Sequence, residues 1–140
     1  MAPTFGELSD KAALGKQLSA QFLGEKFFAT ALENMKDDLF TRTSMQFVWE
    51  TCFSSYARPS LKWRERALMN IVMMVALNRT NELRIHVRGA VQNGVTEEEI
   101  CEAIHHAMIY CGVPAGRDAM MAAGEVIEQL KASGEYPKKA

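Results

Sequence analysis

Residues 96–108, Thr-Glu-Glu-Glu-Ile-Cys-Glu-Ala-Ile-His-His-Ala-Met, carry their own helix start signal. Thr96 can accept from the third amide of the segment while the Glu99 side chain reaches back to the Thr96 amide, which is a capping box. Ile100, Ala103, Ile104, Ala107 and Met108 then recur at the spacing of one helical face, and that face predicts burial. Glu102, His106 and Tyr110 follow one another at one-turn intervals on a neighbouring strip. His105 and His106 are about 100° apart on a helix and cannot face the same way. His105 falls nearer Cys101 and Met108 and reads as the structural one. Gly112-Val113-Pro114 ends the segment, and a last helix is expected from about Ala115 to Lys131, followed by a polar, frayed tail, GEYPKKA.

Working upstream, NRTNELRIHVRGAVQN (Asn78 to Asn93) is a second helical stretch, closed at Asn93-Gly94, where glycine supplies the left-handed residue of a helix stop. Glu82 and His86 lie four apart and share a face. A carboxylate one turn from an imidazole can fix the ring's tautomer and raise its proton affinity, which suits proton transfer. The same spacing also occurs on solvated helices, where such a pair contributes a few tenths of a kcal/mol. Before this stretch, ALMNIVMMVAL (Ala67 to Leu77) is apolar at every position but Asn70. A helix apolar all round has no water-facing side, which places it at the centre of the fold or in a subunit interface. Met69, Met73 and Met74 read as flexible core filling or as pocket lining.

In the first third, Ser9 and Asp10 can cap a helix whose apolar side carries Leu14, Leu18 and Phe22; residues 1 to 7 read as loose. Gly24 interrupts it, and Phe27, Phe28, Ala31, Leu32 and Met35 resume helical spacing. A helix from about Asp38 to Tyr56 is expected to bury Phe40, Phe47, Val48 and Cys52 and to stop before Arg58-Pro59. Ser60 can cap the next, beginning at Leu61. No stretch alternates with period two, so the chain reads as all-α: one domain, residues 1–140, of six or seven helices with short loops.

Composition narrows the function. The 140 residues are 48% hydrophobic and 24% charged, with a formal net charge of −1, so nothing general favours nucleic acid or a membrane surface. No apolar run approaches the roughly 20 residues of a membrane span. MAPTFGELSD has no signal-peptide pattern, and a cytoplasmic protein is expected. Cys52, Cys101 and Cys111 form no CxxC pair and read as buried thiols. No HExxH, phosphate loop or nucleophile elbow is present. Proton chemistry from His86 with Glu82, and from His106 with Glu102 or Tyr110, remains.

The run from Arg58 to Gly116 resembles the carboxymuconolactone decarboxylase family. The matching elements are Arg58-Pro59-Ser60-Leu61, Arg66, Ala76-Leu77-Asn78-Arg79, Glu82 and His86 with Ala90, Asn93-Gly94-Val95-Thr96, and Glu102, His106, Tyr110, Gly112 and Pro114. The resemblance implies an all-α homo-oligomer, a trimer or hexamer, and a decarboxylase needing no metal or organic cofactor. Related alkylhydroperoxidase-type proteins use a CxxC ahead of the histidine; Arg79 and Glu82 stand there instead, which argues against a thiol peroxidase. The family tends to carry a WGxVW-like segment before RPxL, whereas Trp49 to Tyr56 reads WETCFSSY, a departure that points to a substrate related to carboxymuconolactone but different from it.

Loss of CO2 leaves an electron pair, and an unsaturated lactone or oxo-acid supplies its own sink. His86, oriented by Glu82, is the expected proton donor, with His106 or Tyr110 donating to the oxyanion. Arg66 or Arg88 would hold a spectator carboxylate, and Trp49 and Trp63 would line the pocket. The alternatives are another proton-transfer lyase or isomerase on the same fold, and a non-catalytic small-molecule binder.

Overall fold

The structure, a computed structural model, describes residues 1–137 and is all-helical, with seven α-helices among those residues. They fall into two compact units, Met1–Leu61 and the chain from Lys62 onward.

In the first unit, α1 (Asp10–Leu23) starts at Ser9, whose hydroxyl accepts from the Ala12 amide at 3.1 Å. Gly24, at φ 94°, breaks it from α2 (Glu25–Asn34). α3 (Leu39–Phe47) is capped by Asp38, which accepts from the Thr41 amide at 2.8 Å. The chain then loosens into a π-turn at Val48–Cys52, tightens into a 3-10 turn at Phe53–Ala57, and stops before Arg58-Pro59 as expected. The core is α1 laid against these two turns. A Cβ on Gly15 would lie 1.7 Å from the Trp49 carbonyl oxygen, so only glycine permits this approach. Phe22 packs edge-on to Tyr56 (5.1 Å) and tilted to Phe53 (5.9 Å).

The expected core of this unit is corrected. Phe40 and Phe47 are exposed, Val48 is half-buried and Cys52 is exposed, because the π-turn turns Trp49 inward in their place. On α1 the buried stripe is Ala12, Gly15, Ser19, Ala20 and Phe22, and Leu14 lies outside it. Within residues 1–7, expected to be loose, Pro3 is buried and Phe5 meets Trp49 edge-on at 4.6 Å, while Met1, Thr4, Gly6 and Glu7 are exposed.

The second unit packs four helices. α4 (Trp63–Ala76) lies against α5 (Thr80–Gln92) and α6 (Glu97–Cys111), and α7 (Val113–Ala132) lies against α5 and α6. α4 begins two residues later than expected: Glu65, not Ser60, secures its start by accepting from the Lys62 amide at 2.7 Å. The turn into α5 uses Asn78 at φ 54°, a left-handed position that asparagine tolerates. The capping box of α6 is present, with Glu99 N to Thr96 Oγ1 at 3.1 Å and Thr96 N to Glu99 Oε2 at 2.9 Å. Pro114 sits inside the first turn of α7 rather than ahead of it, because that turn's amides need no intrahelical partner.

Each helix gives one stripe to the core: Ala67, Ile71 and Val75; Leu83, Val87 and Ala90; Ile100, Ile104 and Ala107; and Ala119 to Leu130 on α7. Within the chain α4 is therefore not central. Met69, Met73 and Leu77 are exposed on its other side, and Met74 is half-buried. All three cysteines are exposed, which corrects the buried-thiol expectation; Cys101 is one residue off the Ile100 stripe. The described part of the tail is fastened. Glu135 and Tyr136 amides both donate to the Leu130 carbonyl, and the Tyr136 hydroxyl accepts from the Glu97 amide at 3.0 Å. The rest of GEYPKKA, 138–140, lies outside the described residues.

Candidate active site

The phase of α5 is set by Leu83, Val87 and Ala90 pointing inward. His86 comes three residues after Leu83 and so sits at the edge of that stripe, half-buried. Asn70 occupies the matching edge of α4, one residue before buried Ile71. The two edges meet: Asn70 Nδ2 lies 3.4 Å from His86 Nδ1. Burial pushes the His86 proton affinity below its ordinary value, because the surroundings solvate the charged ring less well than water does. This reverses the expected rise. Glu82 shares the face but is exposed, and it is Asn70 that reaches the ring nitrogen.

Arg66 lies one turn before Asn70 on α4 and is half-buried, and Trp63, half-buried, is three residues earlier. Trp63, Arg66 and Asn70 thus follow one helix face that leads to His86. Arg88, two residues beyond His86, is directed to Glu135, with Nη1 to Oε2 at 3.5 Å.

On α6, His106 and Tyr110 face each other with ring centroids 5.3 Å apart, and both are exposed. Glu102 lies nearer His105 than expected, 3.9 Å from its Nδ1, and His105 is exposed rather than packed inside. Trp49 is fully buried in the first unit, between Phe5 and the Lys16 ammonium, which is 5.3 Å from its ring; it is a core residue there. Among the described residues no three His, Cys, Asp or Glu side chains gather as a metal site.

Asn70 is absent from the site residues expected from the sequence. The signal was present, as the single polar residue of an apolar run.

The groups this face offers are a guanidinium, which can hold an anion, and, one turn further on at Asn70, an imidazole that can donate. The Carboxymuconolactone decarboxylase family pattern matches residues 42–125, which include all of α4, α5 and α6. The chain belongs to this family. It is 37% identical over 127 residues to a 4-carboxymuconolactone decarboxylase of Acinetobacter baylyi, covering 89% of this chain and 92% of the relative. It is 34% identical over 125 residues to a nitrosuccinic acid decarboxylase of Metarhizium robertsii, covering 89% and 86%. The carboxymuconolactone decarboxylase family assignment makes the chain a carboxy-lyase and accounts for the all-α architecture. No described helix is long and apolar enough to cross a membrane.

Proposed function

We propose that this chain decarboxylates, without a cofactor, a dicarboxylic acid whose departing carboxylate adjoins an electron-accepting group, and that His86 stabilises the charge left behind. The two relatives' substrates, one an unsaturated lactone acid and the other a nitro acid, support the class. In each the acceptor is part of the substrate, and a second carboxylate stays on the product. The carbon–carboxylate bond breaks heterolytically, its electron pair moves to the acceptor's oxygen, and CO2 leaves. Water returns a proton to carbon from the side of Glu82, where α5 is exposed.

The observation that carries this reading is the α4 face itself, with Arg66 one turn from Asn70 and Asn70 on His86. Arg66 would hold the retained carboxylate bidentately. His86 would donate to the oxygen that gathers charge, in surroundings dry enough to lower its proton affinity. Trp63 and Tyr110 are the aromatic residues proposed to shape the pocket, and His106 a second donor reached once the exposed α6 face is covered.

Self-association would provide that cover. Met69, Met73 and Leu77 on α4, and Ile109, Tyr110 and Val113 around the α6–α7 corner, leave a large apolar area exposed for a single chain. We therefore propose a homo-oligomer, and sedimentation finding only monomer at micromolar concentration would remove this part.

The central test mixes the protein with 4-carboxymuconolactone and, separately, with nitrosuccinic acid, and follows CO2 release by wild type and His86→Ala. Release that the variant loses supports the reading and names the substrate. Equal release by the variant takes His86 out of the mechanism. Turnover of the lactone, rather than the nitro acid, would also support placement in cytoplasmic breakdown of aromatic compounds.

A further inference from the structure

Asn70 is the one polar residue among the eleven consecutive positions from Ala67 to Leu77, and its side-chain amide meets the His86 ring. Building on the decarboxylase reading above, we propose that Asn70 is a positioning residue that holds His86 as the neutral Nε2–H tautomer. His86 then serves as a fixed hydrogen-bond donor to the developing oxyanion rather than as a proton carrier.

Donor and acceptor chemistry selects the tautomer. The amide nitrogen of asparagine only donates. Set 3.4 Å from Nδ1, it needs a lone pair there, and that leaves the ring proton on Nε2. An imidazolium carries protons on both nitrogens and would bring two donors face to face. A neutral amide also adds no charge, so it orients the ring without raising its proton affinity, which a carboxylate in the same place would do. Burial of the ring acts in the same sense. A neutral imidazole aimed in advance at the oxygen that becomes negative stabilises it with no proton to move and little reorganisation.

The charged groups on the surrounding elements leave this unchanged. On α5 they are Glu82, which is exposed, Arg84, held by Glu125 of α7 at 2.6 Å, and Arg88, held by Glu135. α4 brings Arg66, and α6 brings Glu99, bonded by Arg64 at 2.6 Å, with Glu102 exposed. The lowered proton affinity of His86 has burial as its cause and none of these charges.

The experiment is nitrogen-15 NMR of the histidine rings in the intact chain at neutral pH, with His86→Gln identifying the His86 signals. The expected result is a neutral ring protonated on Nε2. A ring protonated on Nδ1, or an imidazolium, overturns the proposal even if either acid is decarboxylated. The wild-type spectrum needs no substrate and no folded Asn70 variant, so it stands apart from the outcome of the CO2 assay.

Where Asn70→Asp folds, its carboxylate accepts from Nδ1, moves the neutral ring's proton there and shifts the titration upward. Its kcat should fall as pH rises through that new titration, while wild-type kcat stays level over the same range. Asn70→Leu should lower kcat roughly two- to tenfold with little change in KM, the size of one ordinary hydrogen bond. Profiles for Asn70→Asp and wild type that run parallel with pH would also sink the proposal.

Discussion

His86 on α5 and His106 on α6 have the same sequence setting: each follows a glutamate by four residues on a helix with a strong inward stripe. The structure separates them. His86 lies at the α4–α5 seam, loses part of its water and gains Asn70 as a partner. His106 lies on an open face, its neighbour Tyr110 79% exposed. The i, i+4 glutamate bonds neither ring; Glu102 goes to His105, and Glu82 is exposed. Spacing on one helix says which groups can share a face, and the neighbouring helix decides which of them does chemistry. For His86 that neighbour is α4.

The sharpest way to break the contrast is to remove each ring. His86→Ala should lower kcat about 10²–10³-fold, the usual loss on deleting one preorganised oxyanion donor. His106→Ala should cost less than about tenfold, in line with one exposed hydrogen bond. Steady-state kinetics on whichever acid is turned over measures both, and a larger loss at His106 would reverse the assignment of the two helices.

Arg66 tests whether the α4 face, and not α5 alone, makes the site. Arg66→Ala should raise KM more than it lowers kcat, by roughly ten- to a hundredfold, the worth of a charged hydrogen bond to a carboxylate bound alike in ground and transition states. Arg88, already directed to Glu135, serves as the comparison, and Arg88→Ala should move KM much less. If the two substitutions act in the opposite order, the anion binds along α5.

Much of this was legible in the chain. Thr96 with Glu99, Asp38, Ser9 and the glycines at 24, 94 and 112 are local signals, and the helix ends fall at or near them. The helical stripes of α5 and α6 could be read directly because each is amphipathic. What failed depended on partners distant in sequence. Phe40 and Phe47 fit a helical stripe, yet the π-turn after Phe47 gives the inward position to Trp49, and no local pattern announces that extra residue. Cys101 lies one step off the buried stripe of α6, while Cys52 and Cys111 stand at the last positions of the π-turn and of α6, where no neighbour covers them. α4 is apolar on all sides, so its sequence could not say which side the chain itself would cover. Asn70 was visible as an interruption, but its meaning required His86 opposite.

Thr96→Ala removes the hydroxyl that accepts from the Glu99 amide and should destabilise the fold by about 1 kcal/mol, measured by urea unfolding. Because the cap sits at the far end of α6 from Tyr110, kcat per folded molecule should stay unchanged. A fall in kcat would mean that the α6 face is held to the site more tightly than its exposure suggests.

The smallest effect concerns His86 in the absence of substrate. Its proton affinity in the folded chain lies below the ordinary value, 6.5, through burial. As pH falls past that value the unfolded chain takes up the proton first, so protonation favours unfolding. Stability should therefore decline as pH drops from about 6.5 toward the lowered folded-state value and then level off, as far as this group is concerned. His86→Gln keeps a polar side chain at the seam but cannot titrate, and its stability should lack that share of the decline. Urea unfolding of both proteins at a series of pH values reads the difference directly. A wild-type chain that gained stability relative to His86→Gln on acidification would show that the ring is charged in the folded state. That result would place a carboxylate, Glu82 by position, where Asn70 now stands.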